Sequence, residues 1–342
     1  MSGGVDSSLS AALLVEAGYD VTGVFMKNWT QDLPGFVCPW KEDFKDAKTV
    51  AVQLGIDLIT FDFETDYRQA VVDYMVDAYR QGLTPNPDIV CNQEIKFKLF
   101  LNTALSQGAD MIATGHYART KNGRLYMGKD VNKDQSYFLY RVSEDALRHT
   151  LFPVGELTKD KVRQAAAQHG LVTADKPDSQ GICFVGEVGI KQFLIHELGE
   201  QPDGEIVDQT GKVIGKHDGA IYYTVGQRHG LNVGGGLPYY VTHKDMNKNI
   251  VYVTTNLSDK RLWSKSIDIV STWWINEPPK TGKPYQVKCR YRSPSVGCRV
   301  DVEGDQARIM LDDEVRAISP GQSTVLYDGE LVIGGGIIKT GL

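Results

Sequence analysis

Three segments of this chain carry residues that could do chemistry: a hydroxyl-and-glycine run at 2–8, a proline-held carboxylate and thiol at 84–92, and a second thiol within 178–186. The first reads Ser2-Gly3-Gly4-Val5-Asp6-Ser7-Ser8. Its glycines let the backbone pass close to an anion because no Cβ blocks the approach. Its hydroxyls can donate to phosphate oxygens, and the apolar run that follows reads as a helix whose N-terminus is an anion site. The Gly-Lys-Ser/Thr ending of a Walker A loop is missing, which disfavours a P-loop kinase or GTPase. A surface turn with a serine N-cap is the bland alternative.

The second segment is Thr84-Pro85-Asn86-Pro87-Asp88-Ile89-Val90-Cys91-Asn92. Two prolines fix φ and push their predecessors into extended conformations, so Asp88 and Cys91 are expected to be held in place. Asn92 or its neighbour is expected to cap a helix starting near Glu94, and thiols near helix N-termini are acidified. The alternative is a proline-rich turn followed by a buried cysteine. Cys183, flanked by glycine and apolar residues, reads equally well as a small core residue.

Composition bounds the class. The chain has 342 residues, enough for two or three domains, with 42% hydrophobic residues and no apolar run of membrane-spanning length. No signal-peptide pattern is visible, so a cytoplasmic location is expected. The five cysteines are odd in number and form no Cys-X-X-Cys pair, which argues against a disulfide framework, and no protein-held metal site is expected. The balance of 37 Lys and Arg against 43 Asp and Glu, net −6, disfavours general nucleic-acid binding but permits a local basic face. One is visible: Lys280, Lys283, Lys288, Arg290, Arg292 and Arg299 lie in a stretch without acids, with Tyr285 and Tyr291 among them. Alternation over 286–292 would put Lys288, Arg290 and Arg292 on one side of a strand, either to bind phosphates or as a solvated face.

The elements that must position these groups follow from periodicity. Helices are expected over 8–18, 42–54, 65–81 and 94–107, and strands over 21–26, 56–63 and 110–114. That alternation implies an α/β fold with a doubly wound parallel sheet, whose ligands sit beyond the carboxyl ends of the strands. Such folds run a central strand into the phosphate loop, and no residue precedes Met1. We therefore expect a clipped sequence whose first strand is missing. Beyond about residue 199 short β-type runs take over, at 205–207, 212–214, 221–224, 239–241 and 250–254, then from 262 to the end. Small barrels are the expected packing. The expected domains are 1–198, 199–260 and 261–342.

Taken together these segments resemble the tRNA-specific 2-thiouridylases, within the ATP pyrophosphatase superfamily. The resemblance spans nearly the whole chain. It is carried by 2–8, Phe25-Met26-Lys27-Asn28-Trp29, 84–92, Glu94-Ile95-Lys96-Phe97-Lys98, Ala113-Thr114-Gly115-His116-Tyr117 and Lys133-Asp134-Gln135-Ser136-Tyr137-Phe138-Leu139. It continues in Leu151-Phe152-Pro153-Val154-Gly155, 181–186, Thr224-Val225-Gly226-Gln227-Arg228 and Ser319-Pro320-Gly321-Gln322-Ser323. Gln180, where threonine is more usual, and the absent first strand are the departures.

The resemblance implies a role for each matching position. Met1, Ser2, Gly3, Gly4, Val5, Asp6 and Ser7 would hold the ATP phosphates, with Mg²⁺ as counter-ion, and Met26 and Gly115 would flank the adenosine. Asn86, Pro87 and Asp88 would meet a wobble uridine flipped from the anticodon loop, because C2 is inaccessible in a stacked base. Lys133, Asp134, Gln135, His116, Arg290, Tyr291 and Gln322 would touch the tRNA, His116 and Gln322 being readable as structural residues too. ATP would adenylate the uridine O2 and release pyrophosphate. Cys183 would carry a persulfide from a sulfur-donor protein (a cysteine desulfurase or relay carrier). Cys91 would attack or resolve it to leave a Cys91–Cys183 disulfide, with Asp88 as acid/base. The acceptors implied are tRNAs for Lys, Glu and Gln. Two other classes stay open: an amidotransferase-type ATP pyrophosphatase, which has no use for paired cysteines, and a tRNA-binding protein with a dead nucleotide site.

Overall fold

The computed structural model of the chain describes residues 1–33, 37–178, 189–231, 233, 234, 236 and 238–339. Cys183 and the rest of 179–188 lie outside the described residues.

The first region alternates helix and strand. Helix α1 (Val5–Glu16) leads to β1 (Gly23–Lys27), α2 (Trp40–Leu54) and β2 (Leu58–Asp62). Helix α3 spans 64–80 and α4 spans 87–106. Strand β3 (Ile112–Ala113), the hairpin β4 (Ala118–Lys121) and β5 (Arg124–Met127), α5 (Glu144–Arg148), β6 (Thr150–Leu151), α6 (Lys159–Gln168) and α7 (Ile190–Leu198) complete it. Strands β1 and β2 pair in parallel, as do β3 and β6. The helices cover them because their apolar residues recur at helical spacing: α2 buries Ala47, Val50 and Ala51, and α6 buries Val162 and Ala166. One core cluster draws Val5, Leu9 and Ala12 of α1 together with Val50, Val162 and Ala166, so α1 and α6 lie side by side. At roughly 1.5–3 kcal/mol per fully buried large aliphatic side chain, that seam fixes where the two N-termini sit.

Most expected elements of this region appear within a few residues. One does not. Helix α4 begins at Pro87, not near Glu94, since a proline at the first helical position loses no intrahelical bond. Asn92 is therefore inside the helix rather than capping it, and its side-chain amide donates to the Phe138 carbonyl at 3.1 Å. Between Cys91 and Phe100 the helix opens into wider π-type turns.

The central region is a four-stranded sheet in the order β8 (Val213–His217), β7 (Gly204–Val207), β10 (Ile250–Thr254), β9 (Tyr240–Asp245). The run at 221–224 falls on a short 3-10 turn, Ala220–Tyr222, and not on a strand. The last region is a closed antiparallel barrel: β11 (Trp263–Trp274), β14 (Gln306–Arg316), β13 (Val296–Glu303), β12 (Tyr285–Lys288), β15 (Ser323–Asp328) and β16 (Leu331–Ile338), with β16 returning to β11. Period-two alternation fills it with Ile267, Ile269, Val287, Val300, Ile309 and Leu311. Cys289 and Cys298 belong to this core, and burial pushes both thiols up to about 12, which leaves them inert packing residues. The hairpin β4–β5 extends the barrel sheet, Tyr126 pairing with Leu331.

The basic stripe expected at 286–292 does not form. Strand β12 ends at Lys288, the chain turns, and Arg292 takes a left-handed φ of 61°. Lys288 pairs with Asp134 at 3.4 Å and lies over the Tyr327 ring, while Arg290 turns inward.

Candidate functional site

Ser2–Gly4 form a tight turn into α1, and Ser7 in the first turn of that helix folds back onto it. Gly3 has φ +74°, and a Cβ there would sit 2.3 Å from the Asp43 carbonyl oxygen, so only glycine fits. Gly4 is the N-cap of α1 and no side chain caps the helix, which leaves its leading N–H groups open to an anion. The Ser2 N–H donates to Ser7 Oγ at 3.1 Å, and Ser7 Oγ donates to the Gly4 carbonyl at 3.1 Å. The backbone N of Met1 donates to the Val24 carbonyl, which sets the loop beside β1, and half-buried Met26 follows on the same strand. Gly115, just past β3, closes the other side. A Cβ on it would meet the backbone of Asp6 and Ser7 at 2.7 Å.

Around this loop stands a charge network that sequence reading missed. Lys159, the first residue of α6 and only 8% exposed, donates to both Asp6 oxygens at 2.7 and 2.9 Å and pairs with Asp178 at 2.8 Å. The Tyr117 hydroxyl donates to Asp6 at 2.7 Å. Lys133 and Arg163 also meet Asp178, at 2.6 and 2.8 Å. Lys176 pins Asp43 and Asp46 of α2 behind Gly3. The sequence signal was position: Lys159 follows a Thr-led helix start, where a cation is unfavourable unless it answers an anion.

Burial opposes ionisation of Asp178, yet hydrogen bonds from Lys133 and Lys159 hold its carboxyl at about 2. A depressed carboxyl contributes stability that is present above its unfolded value of about 3.9 and is lost as pH falls toward about 2. Denaturant melts of the protein and of Asp178→Asn, between pH 5 and pH 2, should therefore converge at the acid end. A gap independent of pH would overturn this.

The second cluster lies on α4. Asp88 and Cys91, three residues apart near the helix start, are neighbours on one face, and Cys91 is 6% exposed. Burial raises the Asp88 carboxyl above its usual range, with Lys96 pulling it back. Lys96 Nζ also approaches His116 Nε2 at 3.4 Å. His116 Nδ1 meets Thr114 Oγ1 at 2.8 Å, and Phe97 and Phe152 pack on its ring. Burial, with Lys96 adding to it, drops the imidazole well below its ordinary pKa, so it is neutral at pH 7. Asn86, the N-cap of α4, is half-buried, and Pro87 is buried beside it.

The remaining sequence candidates have definite places. Asp134 Oδ1 accepts from the Gly128 and Ser136 N–H groups at 2.9 and 3.1 Å. Gln135 Oε1 accepts from the Tyr117 N–H at 2.9 Å. Tyr291 packs against Phe138 with ring centroids 4.4 Å apart and the planes tilted by 52°. Arg290 donates to the Val225 and Ala317 carbonyls and to Ser319 Oγ, and Gln322 donates to the Thr84 carbonyl at 2.8 Å. Among the described residues no group of three or more His, Cys, Asp or Glu could hold a metal, and no helix is long and apolar enough to cross a membrane.

Comparison with known proteins matches this architecture region by region. Residues 1–187 match a tRNA methyl transferase HUP domain, 191–255 a tRNA methyl transferase PRC-barrel domain, and 264–338 an aminomethyltransferase beta-barrel domain. The chain is 46% identical over 346 residues to the tRNA-specific 2-thiouridylase MnmA of Bacillus subtilis (strain 168), covering 99% of this chain and 93% of that protein. It is 47% identical over 351 residues to the protein of the same name from Pseudomonas entomophila (strain L48), with 99% and 93% covered. With that of Alkaliphilus oremlandii (strain OhILAs) it shares 46% over 350 residues, with 99% and 95% covered. An uncapped glycine loop, a buried cysteine on a proline-started helix and this near full-length identity agree: the chain belongs to the tRNA-specific 2-thiouridylase family.

Proposed function

We propose that the protein is a tRNA-uridine 2-sulfurtransferase that converts the C2 carbonyl of a wobble uridine to a thiocarbonyl. The observation that carries this is the 46–47% identity through all three regions to proteins named for that activity, with the 2–8 loop and Cys91 both in place. ATP, with Mg²⁺ on its phosphates, supplies the leaving group. The loop N–H groups and Lys159 face its phosphates, and Gly115 and Met26 border the adenosine.

The uridine O2 attacks the α-phosphorus, pyrophosphate leaves, and C2 becomes electrophilic. The terminal sulfur of a Cys183 persulfide adds to C2, and the C2–O2 bond breaks to release AMP. Cys91 then gives its proton to Asp88, and its thiolate attacks Cys183 Sγ. A Cys91–Cys183 disulfide forms and the electron pair of the broken S–S bond becomes the C2=S group. A thiol reductant and a sulfur-donor protein restore the persulfide. Asp88 suits its part because burial raises its carboxyl above the ordinary carboxylate range, which makes it a better proton acceptor. Asn86, Pro87, Lys133, Gln135, His116 and Tyr291 are the tRNA-facing candidates. The anticodon stem-loops of Lys, Glu and Gln tRNAs are the proposed acceptors, and the cytoplasm the proposed site of action.

Nucleoside mass spectrometry on unmodified tRNA with ATP, Mg²⁺ and a sulfur source tests the reading. We expect 2-thiouridine with the protein and none with Cys91→Ser or Cys183→Ser. A methylated nucleoside, which differs in mass from a thiolated one, or full activity of Cys91→Ser, would sink it.

A further inference from the structure

Thr84, at the head of the turn that leads into α4, is held by two other regions of the molecule. Its N–H donates to the Pro320 carbonyl at 2.9 Å, and its own carbonyl accepts from Gln322 Nε2 at 2.8 Å. Its hydroxyl meets that of Thr224, from the central region, at 3.3 Å. The fit is close: a Cβ on Gly321 would stand 2.8 Å from the Thr84 backbone nitrogen. Gln322 is itself fixed in the barrel sheet, its carbonyl accepting from the Ile338 N–H at 2.8 Å.

Arg290 secures the same junction one step further back. A single guanidinium nitrogen reaches the Val225 carbonyl at 2.9 Å, the Ala317 carbonyl at 2.5 Å and Ser319 Oγ at 2.7 Å. Val225 adjoins Thr224, and Ser319 adjoins Pro320, so these bonds join the two segments that grip Thr84. Ser319, 1% exposed, also donates to the Val225 carbonyl at 3.2 Å. Ala317 takes a left-handed φ of 59° against Gly226, where a Cβ would lie 2.4 Å from its own. That strained, closely packed corner needs an anchor, and the guanidinium bonded to the Ala317 carbonyl supplies one.

Downstream of Thr84 there is little slack. Pro85 and Pro87 fix their own φ and restrict Thr84 and Asn86, so a displacement at Thr84 passes into the first turn of α4, where Asp88 and Cys91 sit.

We propose that Arg290 and Gln322 are positioning residues that set the 84–91 turn, and with it Asp88 and Cys91, by bonding the protein's own carbonyls rather than tRNA phosphates. This rests on the sulfur-transfer reading for its kinetic consequences but not for its structural one. Arg290→Lys keeps a charge for a phosphate, but its side chain ends one bond short of the Nη2 atom that reaches these three acceptors. Gln322→Glu removes the donor to Thr84.

Hydrogen exchange of the full-length protein without tRNA is the primary readout. Amides of Thr84 and Cys91 should exchange at least ~10-fold faster in both variants while those of β1 and β10 stay unchanged. In turnover assays kcat should fall about 10-fold or more, because small misplacements of reacting groups are costly, while the KM for tRNA and the salt slope of tRNA binding hold. If Arg290 instead contacts phosphate, Arg290→Gln will raise KM and lower the salt slope by about 1 with kcat kept, which overturns the proposal. Unchanged exchange at Thr84 and Cys91 in Gln322→Glu, the milder variant, overturns it as well. A wild-type protein that makes no 2-thiouridine would sink the functional reading and leave the exchange result to decide this one.

Discussion

Gly115→Ala should weaken ATP binding by at least ~10-fold and cut turnover by about 100-fold, with the fold retained. The added methyl would lie 2.7 Å from the Asp6 carbonyl carbon and Ser7 nitrogen, both backbone atoms that cannot rotate away. The first turn of α1 must therefore move, and with it the N–H groups that we assign to the phosphates. An overpacked contact of this kind costs about 1–3 kcal/mol, which a chain with such cores can absorb. Misplacing a reacting group by ~1 Å costs on the order of 100-fold in rate. Calorimetric titration with ATP, beside a thermal melt, separates the two effects. ATP affinity matching that of the wild type would show that Gly115 does not border the nucleotide.

The second large effect is expected at Lys159. Lys159→Met keeps the unbranched stem, one atom shorter, and removes the ammonium that meets Asp6 and Asp178. Asp6 then keeps the Tyr117 hydroxyl, and Asp178 keeps Lys133 and Arg163, so the stability cost stays near 1–3 kcal/mol. The catalytic cost should be larger. A positioned donor aimed at developing negative charge is worth roughly 10²–10³ in rate, and in the proposed reaction the departing pyrophosphate is that charge. Pyrophosphate release in a single turnover should fall by about that factor, with a smaller change in the KM for ATP. Release at the wild-type rate would place the phosphates elsewhere.

What could be read from the sequence divides along a physical line. Period-two and helical patterning placed α1, β1, α2, β2 and α3 within a few residues, because each buries one face against a common core. The glycine loop was legible because its glycines and hydroxyls stand side by side at 2–8, whereas the place of Gly115 came only from the family resemblance, its contacts with Asp6 and Ser7 being distant in sequence. Long-range placement was not. The Pro85 and Pro87 pair reads as a loop, yet Pro87 opens a helix, because proline breaks helices only from inside. Lys288, Arg290 and Arg292 alternate like a strand face, but the chain turns after Lys288 and spends these cations on Asp134, on backbone carbonyls and over the Tyr291 ring. Lys159 drew no attention because its partner Asp6 is 153 positions away, and separations of that size leave no local trace.

The hairpin β4–β5 has a consequence for how the chain is made. Tyr126 pairs with Leu331, 331 − 126 = 205 residues later. At about 5–20 residues per second, the ribosome needs roughly 10–40 s to deliver that partner. Throughout that interval the nascent first region carries an open strand edge, a template for pairing with neighbouring chains. Arg124 puts a cation on that edge strand before the barrel arrives to cover it, and Arg119 on β4 meets its partner Glu330 only then. A charge on an open edge strand disfavours strand addition by neighbouring chains during that interval.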